Sequence, residues 1–394
     1  MRIRAASCVV RLLPEVEKRC RADPRGRVRA YTIRQGSNRM PMSSDRSSTL
    51  PAISAITVEA PGRLHMGFLD PNGSLGRAFG SVGIVIEGCG TRVTARHADD
   101  AQVEGTATDA QRERVERYLA LLHDAYGGPA VSIEVEQAAR AHCGIGSGTQ
   151  LALAVGTAYA RLAGIAATTA ELAQRLGRGA RSGIGVLGFD HGGLIVDGGR
   201  HHAATAASPG AAPQSAAALP PLLARQPFPD DWRIVLIDDT TREGLHGDEE
   251  KRGLAALPPF PHTLAAEVCH QLLMRVLPGM AQGDFDAFAA GVSDIQQSIG
   301  EYFAPVQGGV YSSPAVAAAM QAIAANQTAG VGQSSWGPTG FAFVQSSRHA
   351  DDALAAARAA TRAFPGIVCS VTRGRNCGAR YYAVQQPRFG IDAQ

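Results

Sequence analysis

Long apolar runs and clustered cysteines are both missing from this chain of 394 residues. No run reaches the roughly 18 apolar residues that suggest a membrane span, so we expect no membrane partner. The seven cysteines are scattered, odd in number and free of CxxC spacing, which argues against a zinc site or a disulfide framework. A reducing cytoplasm is therefore the expected location, and the hydrophobic content of 45% is ordinary for a soluble globular protein.

A basic excess exists only in the first fifty residues, which hold 12 Lys and Arg against 4 Asp and Glu. The remainder holds 26 basic and 31 acidic residues, so the sequence gives no argument for nucleic-acid binding. Residues 1–50 also lack a helical or strand period, and their apolar segment at 5–10 is too short for a secretory signal. We expect a disordered basic arm or an over-extended start, with an Arg-rich transit peptide as the less favoured alternative.

From residue 53 onward strands and helices mix without a regular βαβ repeat, which predicts an α+β fold in two domains. Alternating or continuous apolar runs predict strands at 56–60, 82–87, 91–96, 131–136, 194–197, 232–239, 340–344, 366–371 and 381–384. Helical periodicity and a capping box predict helices at 111–126, 168–176, 262–277, 283–299, 314–326 and 349–363. The Ala/Pro-rich stretch 202–230 predicts a loop or junction between an N-terminal domain at 51–215 and a C-terminal domain at 225–394.

The segment 142–150 (HCGIGSGTQ) is the most informative, because a predicted strand precedes it and an Ala/Leu-rich helical run follows it. Glycines let the backbone approach an oxyanion closely, and the free N–H groups at a helix N-terminus bind anions. We therefore predict a phosphate site formed by Gly144, Gly146, Ser147, Gly148 and Thr149. The alternative is a glycine-rich turn that caps an ordinary helix.

A second cluster spans residues 60–70, in which Pro61-Gly62 is expected to end a strand and to leave Arg63 and His65 in a tight turn. Arg63 would bind phosphate or carboxylate through its bidentate fork, and His65 is a candidate catalytic group. The alternative is a β-turn with solvated polar residues.

A third, glycine-rich segment at 178–193 is predicted to be a loop that faces the ligand. Its candidate catalytic residues are Arg181, Asp190 and His191, with Ser182 beside the first. The alternative is a turn in which Asp190 caps local N–H groups.

Asp238 and Asp239 end the strand that opens the second half of the chain. Carboxylates at a strand end suit Mg²⁺, which binds a few carboxylates together with substrate phosphates. Because side chains alternate along a strand, we expect one to coordinate the metal while the other caps the loop. The alternative is a solvated acidic turn.

A final glycine and hydroxyl loop at 332–340 precedes a strand and supplies Ser335, Trp336, Gly337, Thr339 and Gly340 as candidate binding residues. Trp336 offers a flat apolar face for an aromatic substrate. Taken alone, the segment is a turn.

The segments at 60–70, 142–150 and 333–343 follow the order of the three signature motifs of the GHMP kinase superfamily, which the chain resembles from residue 55 to 390. The resemblance implies an N-terminal domain like domain 2 of ribosomal protein S5 and a ferredoxin-like C-terminal domain. Where the kinases read Ser-Gly-x-Asp, with the Asp as catalytic base, this chain reads Ser182-Gly183-Ile184-Gly185. Glycine cannot accept a proton, so the resemblance points away from a kinase.

Four stretches together resemble the β-ribofuranosylaminobenzene 5′-phosphate synthase family, a non-kinase branch that starts tetrahydromethanopterin biosynthesis. They are 68–70 (FLD), 142–150, 192–199 (GGLIVDGG) and 334–340 (SSWGPTG). The resemblance implies that phosphoribosyl pyrophosphate and 4-aminobenzoate condense with loss of CO₂ and pyrophosphate.

In that reaction the phosphate loop would hold pyrophosphate or the 5′-phosphate, and Mg²⁺ would help the leaving group to depart. Arg63 or Arg181 would hold the carboxylate, and His65, Asp190 and His191 would aid rearomatisation. A homodimer is expected. The alternatives are an ATP-dependent small-molecule kinase of the same fold and a non-enzymatic phosphometabolite-binding protein.

Overall fold

The computed structural model describes residues 53–201 and 219–385, which form two β-sheets with helices packed against them. The arm predicted at residues 1–50 lies outside the described residues. The α+β prediction is confirmed, because strand pairs in the described ranges are antiparallel apart from one parallel pair that flanks the first helix.

The strands of the N-terminal sheet are β1 (Ile53–Asp70), β2 (Arg77–His97), β3 (Gln102–Gly105), β4 (Val131–Gln137), β5 (Leu194–Asp197), β6 (Arg200–His201), β7 (Leu222–Gln226) and β12 (Arg380–Gln385). The order is β12-β1-β2-β4-β3, with β5 and β6 also paired to β2, and β7 paired to β5. β12 lies in the range predicted for the C-terminal domain, yet it pairs with β1 and so completes the N-terminal sheet.

The helices of this half are α1 (Asp109–Tyr126), α2 (Ser147–Leu162), α3 (Thr169–Arg175) and α4 (Ile184–His191). The predicted capping box at the start of α3 is present, since Thr168 and Glu171 bond each other's backbone N–H groups. α1 buries the predicted face of Val115, Leu119 and Leu122. α1 and α2 share one hydrophobic core with the first half of β1.

The tight turn predicted at Pro61-Gly62 is wrong, because β1 continues through it. The strand has irregular register at Gly62 and again between His65 and Gly67. A Cβ at Gly62 would stand 2.5 Å from the carbonyl oxygen of Cys89, so the glycine permits close pairing with β2. The Pro-Gly pair therefore marks a bulge inside a long strand.

Other local predictions also fail. β2 is one continuous strand where two were expected, and β7 lies inside the stretch predicted to be a loop at 202–230. α4 occupies half of the segment 178–193 that was predicted to be a loop. Its glycines serve helix packing, since a Cβ at Gly185 would stand 3.0 Å from Thr149 and a Cβ at Gly188 would stand 2.9 Å from Val85.

The C-terminal sheet contains β8 (Arg233–Asp239), β9 (Gly330–Gln333), β10 (Thr339–Val344) and β11 (Ile367–Thr372), in the order β11-β8-β10-β9. Its helices are α5 (Gly247–Ala256), α6 (His262–Gln271), α7 (Leu277–Gln282), α8 (Phe285–Gln307), α9 (Pro314–Asn326) and α10 (Ser347–Ala360), and a π turn at Leu272–Val276 joins α6 to α7. No helix in the described ranges is both long and apolar enough to cross a membrane.

Side chains alternate across this sheet and bury both of its faces. Val235 and Ile237 of β8 pack with α9 and α10, whereas Ile234 and Leu236 join a core that includes α8 and Leu64 of β1. The core that contains Leu64, Ile234 and Leu236 spans both halves of the chain, so it holds β1 against the C-terminal elements. The candidate site lies where those elements meet.

Candidate active site

The glycine loop leads directly into α2, as predicted. Gly146 is the N-cap residue in the left-handed conformation, with φ of 79°, and Gly144 has φ of 96°. The cap residue makes no side-chain hydrogen bond, and the first turn of α2 carries no acidic side chain. The N–H of Thr149 donates to the carbonyl oxygen of Gly146 at 3.1 Å, so the N–H groups of Ser147 and Gly148 are the ones that can meet an anion.

The first and third predicted motifs meet at this loop through Ser334. The carbonyl oxygen of Gly144 accepts hydrogen bonds from Arg63 Nη1 at 2.5 Å and from Ser334 Oγ at 2.7 Å. Ser334 Oγ also accepts from the backbone N–H of His65 at 3.0 Å, and the N–H of Ser335 donates to the carbonyl oxygen of His65 at 3.1 Å. The structure thus brings together three motifs that are far apart in the sequence.

Glycines make this close approach possible. A Cβ at Gly144 would stand 2.3 Å from the carbonyl oxygen of Ser334, and a Cβ at Gly337 would stand 2.4 Å from that of Cys143. The loop after β8 joins from the other side, where the N–H of Gly244 donates to the carbonyl oxygen of His142 at 2.8 Å. Backbone packing therefore requires glycine at positions 144 and 337, whether or not a ligand binds there.

Arg63 lies beneath the loop, against Gly146. Burial lowers the pKa of its guanidinium to about 10, yet the group stays charged at neutral pH. Its Nε is buried without a hydrogen-bond partner, and among the described residues no carboxylate forms an ion pair with it. A half-buried cation with no described counter-ion, beside a helix N-terminus, is an arrangement that can hold an anion.

His65 is 3% exposed, and burial together with the charge of Arg63 lowers its pKa to about 3. The ring is therefore neutral at physiological pH and does not act as a cation. Its Nε2 is buried without a partner, and its edge packs on Phe68 with ring centroids 4.7 Å apart. The ring lines a cavity of about 40 Å³ together with Gln296, Tyr311 and Trp336.

Trp336 lines the same cavity but does not present an open face. It is 5% exposed and packs on Phe303, with centroids 4.5 Å apart. Thr339 and Gly340, predicted as binding residues, lie in β10: Thr339 Oγ1 donates to Asp238 at 3.0 Å, and a Cβ at Gly340 would stand 2.4 Å from Val316. These two residues thus position the loop from the sheet.

Asp238 and Asp239 point apart, as expected from strand alternation. Asp239 caps its loop, because it accepts from Thr241 N at 3.1 Å and from Ser313 Oγ at 2.7 Å. Burial alone would raise its pKa, but the hydrogen bonds from Thr241 and Ser313 bring it below its usual value. Asp238 is held by Arg140 at 2.7 Å. No group of three His, Cys, Asp or Glu side chains in the described ranges is arranged to hold a metal ion.

Of the predicted catalytic residues in the segment 178–193, Asp190 and His191 lie away from the loop, and Arg181 is engaged in an ion pair. Arg181 forms an ion pair with Glu250 of α5 at 2.5 Å. Asp190 and His191 lie at the C-terminal end of α4, where Asp190 accepts a hydrogen bond from Thr169 Oγ1 at 2.6 Å. They line a separate cleft of about 750 Å³, whereas the other end of α4 contacts Thr149. An eight-residue helix is roughly 12 Å long, so α4 separates them from the phosphate loop.

That other end of α4 carries Gly185, the position at which the superfamily kinases have their catalytic Asp. A Cβ there would stand 3.0 Å from Thr149 Cγ2 and 3.3 Å from Thr149 Cβ. The carbonyl oxygen of Gly185 also accepts from Gln150 Nε2 at 2.9 Å. A side chain at this position would therefore require Thr149 to shift by a few tenths of an ångström.

Two residues of this region were missed by the sequence reasoning. Asp197 is fully buried, and its carboxylate accepts from the N–H groups of Gly183 and Gly199, each at 2.9 Å, so it anchors the start of α4. Burial raises its pKa to about 6. Arg178 lies beside Gly148 of the phosphate loop. An Asp before Gly-Gly and an Arg in a glycine cluster were visible signals, but their partners are distant in sequence.

Comparisons with known proteins agree with this arrangement. The family model for the GHMP kinase N-terminal domain matches residues 113–193, and that for the GHMP kinase C-terminal domain matches residues 276–363. The solved homoserine kinase of Cytophaga hutchinsonii has a TM-score of 0.58 at 17% identity, covering 87% of this chain and all of that one. At this identity, the likeness concerns the fold.

Two curated relatives are closer in sequence. A β-ribofuranosylphenol 5′-phosphate synthase of Archaeoglobus fulgidus is 39% identical over 61% of this chain and 75% of its own length. One of Methanothermobacter thermautotrophicus is 32% identical over 82% of this chain and 98% of its own length. The chain therefore belongs to the β-ribofuranosylphenol 5′-phosphate synthase family, within the GHMP kinase superfamily.

Proposed function

We propose that the protein is an enzyme that joins the ribosyl phosphate of phosphoribosyl pyrophosphate to a para-substituted benzoate, as in tetrahydromethanopterin biosynthesis. The C1–O bond of the donor breaks, and pyrophosphate leaves with the electron pair. C1 then bonds to the ring carbon that carries the carboxylate. The C–CO₂ bond breaks, CO₂ leaves, and its electron pair restores the aromatic ring. The reaction needs no net proton transfer.

The phosphate loop supports the donor half of this proposal. Free N–H groups at the start of α2 and the unpaired Arg63 together attract a polyanion. A departing pyrophosphate gains negative charge in the transition state, so donors already in place at that position stabilise the transition state more than the ground state. We assign pyrophosphate to this loop.

The observation that carries the proposal is the contact between Gly185 and Thr149. The kinases of this superfamily tend to have an Asp base at that position, whereas here even a Cβ would require Thr149 to shift by a few tenths of an ångström. The remaining site offers donors to a phosphate but has no carboxylate at the kinase base position. This combination favours departure of a phosphate leaving group over phosphoryl transfer to an alcohol.

The acceptor is a benzoate whose para substituent donates electrons to the ring carbon under attack. The relatives' name specifies a phenol product, which corresponds to a hydroxyl group there, whereas the sequence resemblance suggested an amino group. Both are hydrogen-bond donors, and the neutral His65 offers an unpartnered Nε2 in the cavity beside Trp336. Because this cavity holds only a few atoms, a ring would enter it only if Phe303 or Trp336 moved.

The acidic pair does not fit the predicted magnesium site. Both oxygens of Asp239 accept hydrogen bonds, and Asp238 is neutralised by Arg140. We therefore derive no step through a metal bound by these residues. A homodimer and a cytoplasmic location stay predictions, which light scattering and fractionation would test.

The decisive experiment supplies phosphoribosyl pyrophosphate and carboxyl-labelled benzoates to the purified protein. Parallel reactions contain 4-hydroxybenzoate, 4-aminobenzoate or unsubstituted benzoate, with and without Mg²⁺. We expect labelled CO₂ from one of the para-substituted acids and none from benzoate. Failure to release label from either would refute the synthase. Turnover of ATP with a small alcohol, measured in the same preparation, would establish the kinase alternative instead.

A further inference from the structure

Arg178 has a backbone role that fixes where its side chain points. It follows Gly177, which is left-handed with φ of 66° after the last turn of α3. Its N–H donates to the carbonyl oxygen of Ala173 at 2.7 Å, which closes that helix. The side chain is therefore directed from the end of α3 towards α1 and the start of α2.

The guanidinium lies between Tyr118 of α1 and the phosphate loop. One nitrogen, Nη2, donates to the hydroxyl of Tyr118, which is almost fully buried. The other, Nη1, lies 3.7 Å from the point where a Cβ at Gly148 would stand. Its Nε is buried without a hydrogen-bond partner, and no described carboxylate forms an ion pair with it.

This placement is electrostatically unfavourable in the empty protein. A helix N-terminus carries a partial positive charge, which disfavours nearby cations. Two cations border the first turn of α2 nonetheless, Arg63 beside Gly146 and Arg178 beside Gly148. The turn has no acidic side chain to offset them. A polyanionic ligand would explain why the helix N-terminus, Arg63 and Arg178 place positive charge together.

We infer that Arg178 is a binding residue for a diphosphate group and that it acts with Arg63 from two sides of the first turn of α2. The inference rests on the proposed function, because it assigns a second cation to the site where pyrophosphate is placed. Arg178 holds one phosphate and Arg63 the other, while the N–H groups of the turn bind the oxygens between them. An organic diphosphate or inorganic pyrophosphate is the matching ligand class.

The competing explanation is that Arg178 only holds Tyr118 in place. Tyr118→Phe separates the two, because it removes the hydroxyl and leaves the guanidinium. Arg175→Gln is the matched control, since Arg175 lies on the last turn of α3 and near Tyr126, away from the loop. Arg178→Lys keeps the charge but removes the planar fork.

The test is calorimetric titration of the full chain with inorganic pyrophosphate, with thermal melting of each variant. Hydrogen bonds to charged groups predict at least a roughly tenfold weaker Kd for Arg178→Gln, a smaller loss for Arg178→Lys, and a Kd within about twofold of wild type for Tyr118→Phe and Arg175→Gln. Without ligand, Arg178→Gln should melt close to wild type, because relief of repulsion offsets the hydrogen bond lost to Tyr118.

Each other outcome has a distinct meaning. Equal pyrophosphate affinity in wild type and Arg178→Gln overturns this inference and leaves the proposed function intact. A large drop in melting temperature for Arg178→Gln, matched by Tyr118→Phe, shows that the residue is structural and also overturns it. No binding of pyrophosphate to the wild type would overturn the assignment of the loop itself.

Discussion

Substitution of Gly185 by Ala tests whether Thr149 excludes a side chain from the position of the kinase base. The new Cβ would stand 3.0 Å from Thr149 Cγ2, 3.3 Å from its Cβ and 3.6 Å from its Oγ1. The closest of these atoms is a methyl group. Thr149→Ser removes that methyl group and keeps the hydroxyl, so the two substitutions form a double-mutant cycle.

Two opposing contributions determine how much Gly185→Ala changes the free energy of unfolding. Overpacking a well-packed site costs about 1–3 kcal/mol. Replacing Gly by Ala within a helix gains at most about 1 kcal/mol from backbone entropy. We therefore expect Gly185→Ala to lower the free energy of unfolding by about 1–2 kcal/mol in the wild-type background. In the Thr149→Ser background the cost should largely disappear, which gives a coupling energy of at least about 1 kcal/mol.

Urea unfolding of the four proteins measures the coupling, and titration with pyrophosphate reports on the loop. The contact also lies in the first turn of α2, so Gly185→Ala should weaken pyrophosphate binding, and Thr149→Ser should restore it. A coupling energy near zero would show that Gly185 accepts a side chain without involving Thr149. The steric argument against a kinase base would then be lost.

Three further predictions address the rest of the site. The pKa of His65 is about 3 in the folded protein and 6.5 in the unfolded chain, so protonation favours the unfolded state below pH 6.5. The free energy of unfolding should therefore fall by about 2 kcal/mol between pH 6.5 and pH 5. In urea titrations at each pH, His65→Gln should not show that fall. Asp239→Ala should cost about 2–3 kcal/mol by removing a buried acceptor, whereas Mn²⁺ affinity followed by electron paramagnetic resonance should not change. Gly146→Val places a β-branched residue at φ of 79° against Arg63, and it should abolish pyrophosphate binding in calorimetry; retained affinity would contradict the loop assignment.

Local patterns predicted the strand, glycine loop and helix arrangement because all of its determinants lie within about thirty residues of chain. The capping box at Thr168 and the face of α1 were predictable for the same reason. The contact of Arg63 with Gly144 joins positions 81 residues apart, so no local pattern predicted it.

Failures concentrated where function depends on packing between distant elements. Glycine richness at 178–193 suggested a loop, but the glycines let α4 pack closely on β2 and α2. The direction of α4 then carries Asp190 and His191 away from the phosphate loop. Arg181 was predicted to hold a substrate carboxylate, but it pairs with Glu250, which lies in the other predicted domain. Sequence spacing contains no information on such pairings.

The same loop geometry supports two chemistries in this superfamily, and the residues around it decide between them. A kinase transfers the terminal phosphoryl group of its nucleotide to an oxygen nucleophile. A base that deprotonates this nucleophile is therefore useful, and positive protein groups around the leaving diphosphate are not sufficient. In this chain the base position is a glycine packed against Thr149, and among the described residues no carboxylate forms an ion pair with Arg63 or Arg178, the two cations beside the loop. Such a site would lower the free energy of a departing polyanion, and it has no carboxylate at the position where the kinases tend to have their base. A carbon acceptor that loses CO₂ needs no base, because decarboxylation supplies the electron pair that proton loss would otherwise provide.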